Sequence, residues 1–146
     1  MKALLTLGLV LCLHAGSAAA QDTQVEEILE RAKTERVTLN YSCNISELSP
    51  VRVKGKLIVQ GDCYYAEGYG MRIYCNGGTR WTIDTGEREI YVEDAGGIAE
   101  ILQYRDSVSN LKLTDIRYSP QSADSAFSFD TSALDSSWVV TDLRGL

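Results

Sequence analysis

Carboxylates are the most abundant groups here that do chemistry: Asp84, Glu87, Glu89, Glu93, Asp94 and Asp106 fall within one stretch. A glycosidase needs two such acids facing each other across a cleft. The hairpin register derived below places Glu89 and Glu93 beside Arg80 and Thr82 on a polar strand face, where acids serve solubility. No catalytic residue is assigned. The single histidine is His14, inside a segment expected to be removed. Ser-His-Asp and Cys-His nucleophile systems are therefore excluded. The cysteines Cys43, Cys63 and Cys75 are scattered and lack histidine partners, so no zinc site is expected. Gly68-Tyr69-Gly70 and Gly77-Gly78 punctuate hairpins and do not form a phosphate loop. Asn40-Tyr41-Ser42 and Asn44-Ile45-Ser46 fit glycosylation sequons that act only in a eukaryotic secretory pathway. The chain reads as a non-enzyme without cofactor or metal.

The length of 146 residues fits one domain. Lys2, the apolar run Ala3 to Leu13, and Ala18-Ala19-Ala20 form the charged, apolar and small-residue parts of a secretory signal over residues 1–20. The run is too short to span a bilayer, which takes about 20 apolar residues. The mature domain is expected to cover residues 21–146. Losing Lys2 leaves 13 bases against 20 acids, or −7 where the full chain has −6. That sign argues against nucleic acid, whose binding depends on phosphate neutralisation by Lys and Arg.

Val25, Ile28, Leu29 and Ala32 form an apolar helical stripe, with Thr23-x-x-Glu26 as a capping box at its start. The period then becomes two: Val37, Leu39, Tyr41, Cys43 and Ile45 alternate with polar residues. Val51, Val53, Leu57 and Val59 follow, with Arg52, Lys54 and Lys56 on the other face as a solvated basic strip. Four turns set a register. Gly61-Asp62, Gly77-Gly78 and Thr85-Gly86 suit two-residue loops, and Gly68-Tyr69-Gly70 suits a three-residue loop. They predict one row, Val59, Tyr64, Tyr74, Trp81, Ile90, across five antiparallel strands. The next row sets Cys63 opposite Cys75. Export permits a bridge between them, with Cys43–Cys63 and Cys43–Cys75 as open alternatives. Further on, Ile98, Ile101, Leu102 and Arg105 predict a short helix. Leu111, Leu113, Ile116 and Tyr118 predict a strand, Phe127 and Phe129 a short strand, and Trp138 to Leu143 another. Large aromatics on one sheet face, with two short helices to cover them, form either a filled core or a face partly open to an apolar ligand.

Residues 55–67, Gly-Lys-Leu-Ile-Val-Gln-Gly-Asp-Cys-Tyr-Tyr-Ala-Glu, resemble the second and third strands of the LolA family of periplasmic outer-membrane lipoprotein carriers. Residues 70–84, with Asn76-Gly77 ahead of Trp81, are similar to that family's next hairpin, and Glu89-Ile90-Tyr91-Val92 to the strand after it. Phe127-Ser128-Phe129-Asp130 and the closing Asp142-Leu143-Arg144 are similar to its last strands. The stretch between the Trp81 hairpin and those strands is shorter here, about Ala95–Val108. Gln60-Gly61-Asp62 stands where better-studied members carry an arginine. The resemblance implies an α+β fold: a curved antiparallel sheet forming an unclosed half-barrel, with the N-terminal helix and a short second helix as lid. It implies an acyl-binding cavity lined by Val59, Tyr64, Ala66, Tyr74, Trp81, Ile83, Phe127 and Phe129. It also implies a periplasmic location, lipoprotein acyl chains as cargo, a lipoprotein-releasing transporter in the inner membrane and an acceptor at the outer membrane. The rival expectation is a periplasmic interaction or sensor domain of the same fold with a filled core and no lipid.

Overall fold

The structure, a computed structural model, describes residues 18–45, 51–98 and 108–146, with side chains from residue 23 onward. The expected signal segment lies largely outside these residues, as does the expected helix over Ile98 to Arg105 apart from Ile98. The fold is α+β. Helix α1 (Ala18–Ala32) precedes β1 (Arg36–Ile45), β2 (Arg52–Gln60), β3 (Cys63–Gly68), β4 (Met71–Cys75), β5 (Thr79–Asp84), β6 (Glu89–Asp94), β7 (Val108–Ser119) and β8 (Val139–Asp142). They form one open eight-stranded sheet in the order β7-β1-β2-β3-β4-β5-β6-β8. No helix among the described residues is long and apolar enough to cross a membrane.

Helix α1 begins before the Thr23 capping box. Ala18-Ala19-Ala20 are strong helix formers and extend the helix N-terminally, so Thr23 is an interior position. Val25, Ile28 and Ala32 are buried against the sheet. The backbone carbonyl of Ala32 accepts a 2.6 Å bond from Gly61 N–H, tying the helix end to the β2–β3 turn. The Arg31 guanidinium stacks 3.3 Å over the Tyr118 ring while pairing with Glu35. The helix thus spans both sides of β1.

All strand pairs but one are antiparallel; β8 joins β6 in parallel. The sheet is therefore mixed, where a purely antiparallel one was expected. After β7 the chain crosses the sheet face to the far edge and arrives running with β6. Its expected short strand at Phe127 and Phe129 is absent. Phe127 ends a 3-10 turn, Asp124–Phe127, and a second such turn covers Thr131–Ala133. We call residues 120–138 the strap. Strand β7 keeps its apolar residues inward through two register shifts, with Asn110 and Asp115 at φ 51° and 52°. The step from Leu113 to Ile116, out of phase with a period of two, is the sequence trace of one such bulge.

The predicted register holds at two turns and fails at two. Val59 faces Tyr64, and Tyr74 faces Trp81, as expected. The β3–β4 loop has two residues, not three. Gly68 pairs with Met71, and both Tyr69 (φ 52°) and Gly70 (φ 75°) are left-handed, as a type I′ turn requires. A tyrosine takes a conformation that only the glycines were expected to take. Tyr64 consequently faces Cys75, and Tyr65 faces Tyr74. A one-residue slip reverses faces, so every side chain of β4, β5 and β6 lies on the side opposite to the expected one relative to β3. The β5–β6 loop runs from Thr85 to Arg88, with Asp84 Oδ1 accepting from Gly86 N–H and Glu87 N–H at 3.0 Å each. This moves the register by two and keeps faces: Trp81 meets Val92, and Ile83 meets Ile90.

The same slip removes the expected Cys63–Cys75 bridge. Cys75 lies in the core under α1, whereas Cys63 packs with Ile58 and Phe127 on the other face. Cys43, Cys63 and Cys75 are all buried thiols in no disulfide. Burial raises the pKa of both Cys43 and Cys63 to about 11; for Cys63 the Asp124 carboxylate adds to the rise. Thiol titration of the processed protein, residues 21–146, at pH 8 without reductant should find no fast-reacting group, and unfolding in guanidinium should release three. A folded pKa above the unfolded value of 9.0 stabilises the fold below pH 9. That contribution is lost as pH rises through about 11, so the urea midpoint should fall over this interval and recover part of its value in Cys43→Ala.

Gly55 is a position where the sheet admits no side chain. A Cβ there would meet the Glu67 carbonyl at 1.8 Å and Tyr41 Oη at 2.5 Å. Tyr41 reaches across it to donate a 2.9 Å hydrogen bond to that carbonyl. Gly55→Ala should cost about 3 kcal/mol in urea unfolding or prevent folding, and Tyr41→Phe about 1 kcal/mol.

Candidate functional site

The eight residues expected to line one acyl cavity are divided by the sheet. Val59, Tyr64 and Ala66 lie beneath α1 in a sealed core with Val37, Leu39, Leu57 and Ile73. Tyr74, Trp81, Ile83, Phe127 and Phe129 lie on the strap side. The set contains two sites because its expected row crossed the β3–β4 turn in the wrong phase. The observed strap-side row is Ile58, Tyr65, Tyr74, Trp81, Val92.

The two faces are covered in different ways. Beneath α1, Tyr64 is 1% exposed and Ala66 0%. Burial drives the Tyr64 hydroxyl pKa well up, reinforced by the neighbouring Cys75 thiol and opposed by Arg80. Next along this face, Arg80 is buried and holds Glu93 with a 2.9 Å ion pair. Burial disfavours its charge, but the Glu93 hydrogen bond and Tyr64 more than offset that, so its pKa is raised. Arg80, Thr82, Glu89 and Glu93 share one face, as expected. Yet Arg80 and Thr82 are buried, where solvent was expected, because that face continues the core under α1.

The strap side is looser. Tyr74, Trp81, Phe129, Leu134 and Trp138 pack into one cluster over buried Ile83, Ile90 and Val92, and each of these five is only half-buried. Tyr74 meets Tyr65 edge-on at 4.9 Å between ring centroids and Phe129 at 5.5 Å. Such pairs are worth about 1 kcal/mol beyond their area. Beside the cluster, Val139 and Val140 on β8 are 58% and 42% exposed.

The strap is tethered at its two ends. At one end buried Gln60 acts as a second backbone: its Nε2 donates to Ser122 carbonyl oxygen at 2.7 Å, and its Oε1 accepts from Ser122 N–H at 2.8 Å. Arg36 donates to Ser122 Oγ at 3.0 Å. At the other end Val139 N–H donates to Arg88 carbonyl oxygen, Leu143 N–H to Val92 carbonyl oxygen, and β8 pairs with β6. Between these points the main chain is held by its own turns, such as Asp130 Oδ1 accepting from Ser132 N–H. Gln60 was noted in the sequence only as a non-arginine; nothing local signals a partner 62 residues away.

Among the described residues no group of three His, Cys, Asp or Glu is placed to hold a metal ion. No protein-family model matches this chain, and no curated protein matches it. The fold and the strap-side cluster therefore define a class: an open α+β sheet with one sealed face and one aromatic face under a tethered strap.

Gln60→Ala removes both ends of the Ser122 clamp and leaves the half-buried Ser122 N–H and carbonyl without this partner. It should destabilise the protein by about 2 kcal/mol. Amide exchange measured by mass spectrometry should accelerate over residues 121–130 well before it does over β1–β3.

Proposed function

We propose that the chain is a LolA-like periplasmic carrier, not an enzyme, that holds the acyl chains of lipoproteins or lipids against the strap-side aromatic cluster. The observation carrying this reading is that Tyr74, Trp81, Phe129, Leu134 and Trp138 form one contiguous cluster in which no ring or branched chain is sealed. Apolar surface left partly exposed in one contiguous cluster suits contact with a lipid or a protein. Burying a methylene is worth about 0.8 kcal/mol, so an acyl chain of ordinary length repays displacement of the strap residues beyond Phe127, which stays buried beside Ile58 and Cys63. The strap then takes the lid role expected of helices, and the open sheet supplies the half-barrel. Release requires the strap to return, which its two tethers favour. Delivery follows the resemblance: loading from a lipoprotein-releasing transporter of the inner membrane and transfer to an outer-membrane acceptor.

The second reading, a filled-core interaction or sensor domain, draws on the other face, where Val59, Tyr64 and Ala66 leave no room under α1.

Both tryptophans of the chain, Trp81 and Trp138, belong to the strap-side cluster. Titration of the processed protein with a diacylated peptide should therefore blue-shift the intrinsic emission. Native mass spectrometry of protein recovered without detergent from the periplasm should show a lipid adduct. Phe129→Ala should weaken lipopeptide binding about tenfold, the loss of one partly buried aromatic contact, and Trp81→Glu should abolish the adduct. A bare mass together with unchanged emission overturns the carrier reading in favour of the filled-core domain.

A further inference from the structure

The strap covers only part of its face. Over β7, β1 and the first half of β2 that face is open, and its charge is opposite to that of the chain. Arg52, Lys54 and Lys56 stand at alternate positions of β2, about 6.7 Å apart by strand geometry. Pairing with β1 and β7 extends them sideways: Lys54 and Lys112 flank Ser42, and Arg117 lies opposite Thr38. Arg72 continues the surface beyond Lys56 and Glu67. Five of these six cations are exposed, Lys56 is half-buried, and among the described residues none is in an ion pair. Only Glu67 and Asp115 bring negative charge to these rows. Their hydrogen bonds from Tyr65 and Asn40 hold them locally. In a chain of net charge −6, six of the 14 bases thus share one surface. A groove of about 350 Å³ lies at the centre of this surface, lined by Asn40, Tyr41, Ser42, Lys54, Gly55 and Thr114. Arg52 donates a 2.7 Å hydrogen bond to Ser42 Oγ at its rim. Gly55 contributes only backbone to this groove, because a Cβ there would point to the helix side.

We propose that this basic half-face docks the protein on an anionic phospholipid bilayer, with the groove receiving lipid phosphate. Charge complementarity selects the occupant: each Lys or Arg near an anionic membrane surface contributes about 1 kcal/mol. The neighbouring row selects a bilayer over a soluble polyanion. On the same face, the row from Arg117 runs through Ile58, Tyr65, Tyr74 and Trp81. Aromatics beside cations are the composition of a membrane-interface surface. Docking here turns the half-buried cluster toward the acyl region. The surface stands on the placement of charge and does not depend on acyl carriage.

The test is flotation of the processed protein with vesicles of phosphatidylcholine alone or with 30 mol% phosphatidylglycerol, at low and high salt. The expected result is binding only to the anionic vesicles, reduced at least tenfold by high salt and at least tenfold by Lys54→Glu with Lys112→Glu. The control pair Lys33→Glu with Arg144→Glu makes the same change in net charge away from this face and should bind as the parent does. Circular dichroism of each exposed-site variant confirms folding. Equal loss in both pairs, or no binding to anionic vesicles, overturns the proposal. Binding of inorganic phosphate or heparin without vesicle binding also overturns it, in favour of a soluble anion. Lipopeptide adducts scored on the same variants separate the two functions: the Lys54/Lys112 pair should keep the adduct that Trp81→Glu loses.

Discussion

The pleat of the central strands is the constraint on which the rest of the molecule depends. Strands β2 to β5 have apolar side chains on both faces, so both faces need cover, and each turn decides which side chain goes to which cover. The Tyr69-Gly70 turn matters most. With two left-handed residues it sends Tyr64, Ala66, Ile73 and Cys75 under α1 and leaves Tyr65, Tyr74 and Trp81 for the strap. Residues of both kinds are abundant enough that either phase would have produced an apolar row. The actual phase adds Ile73 and Cys75 to Gly55 and Ala66 on the helix side, where Tyr41 crosses the sheet to the Glu67 carbonyl.

From this division come two kinds of interior. The helix side is a packed core closed by Val25, Ile28 and Ala32, with its polar end formed by the Arg80–Glu93 pair. An ion pair there costs desolvation and stabilises little relative to an apolar pair, so it defines geometry more than it adds stability. The strap side is assembled from short 3-10 turns whose main-chain hydrogen bonds are local, fixed at Gln60 and at β8 and pinned between by buried Phe127 and the Asn76–Ser128 hydrogen bond. A cover tethered at its ends opens at lower cost than a helix packed along its length, because fewer long-range contacts break together. The strap side is therefore where the proposed acyl site is placed.

The electrostatics follow the same geography. Acids populate α1, the β5–β6 edge and the strap, whereas the open part of the strap-side face collects Arg52, Lys54, Lys56 and Lys112. The alternation of bases along β2 was visible as a solvated strand face. Its continuation through Lys112 and Arg117 was not, since these residues lie about 60 positions further along the chain. Two bulges in β7 bring them into line.

Legible in the order of residues alone were the α+β class, the first helix stripe, the existence of the hairpin strands, and the turns at Gly61-Asp62 and Gly77-Gly78. These rest on local periodicity and on glycine's access to left-handed backbone, which are properties of a few adjacent residues. The phase of β4 against β3 was decided by a tyrosine accepting φ 52°, a strain that only the surrounding pairing stabilises. The same holds for the separation of Cys63 from Cys75, the strap in place of a short strand, the parallel β8 and the grip of Gln60 on Ser122. Each of these depends on contacts between segments far apart in the chain. Local residue types leave several such pairings nearly equal, and only the joint burial of both sheet faces selects one.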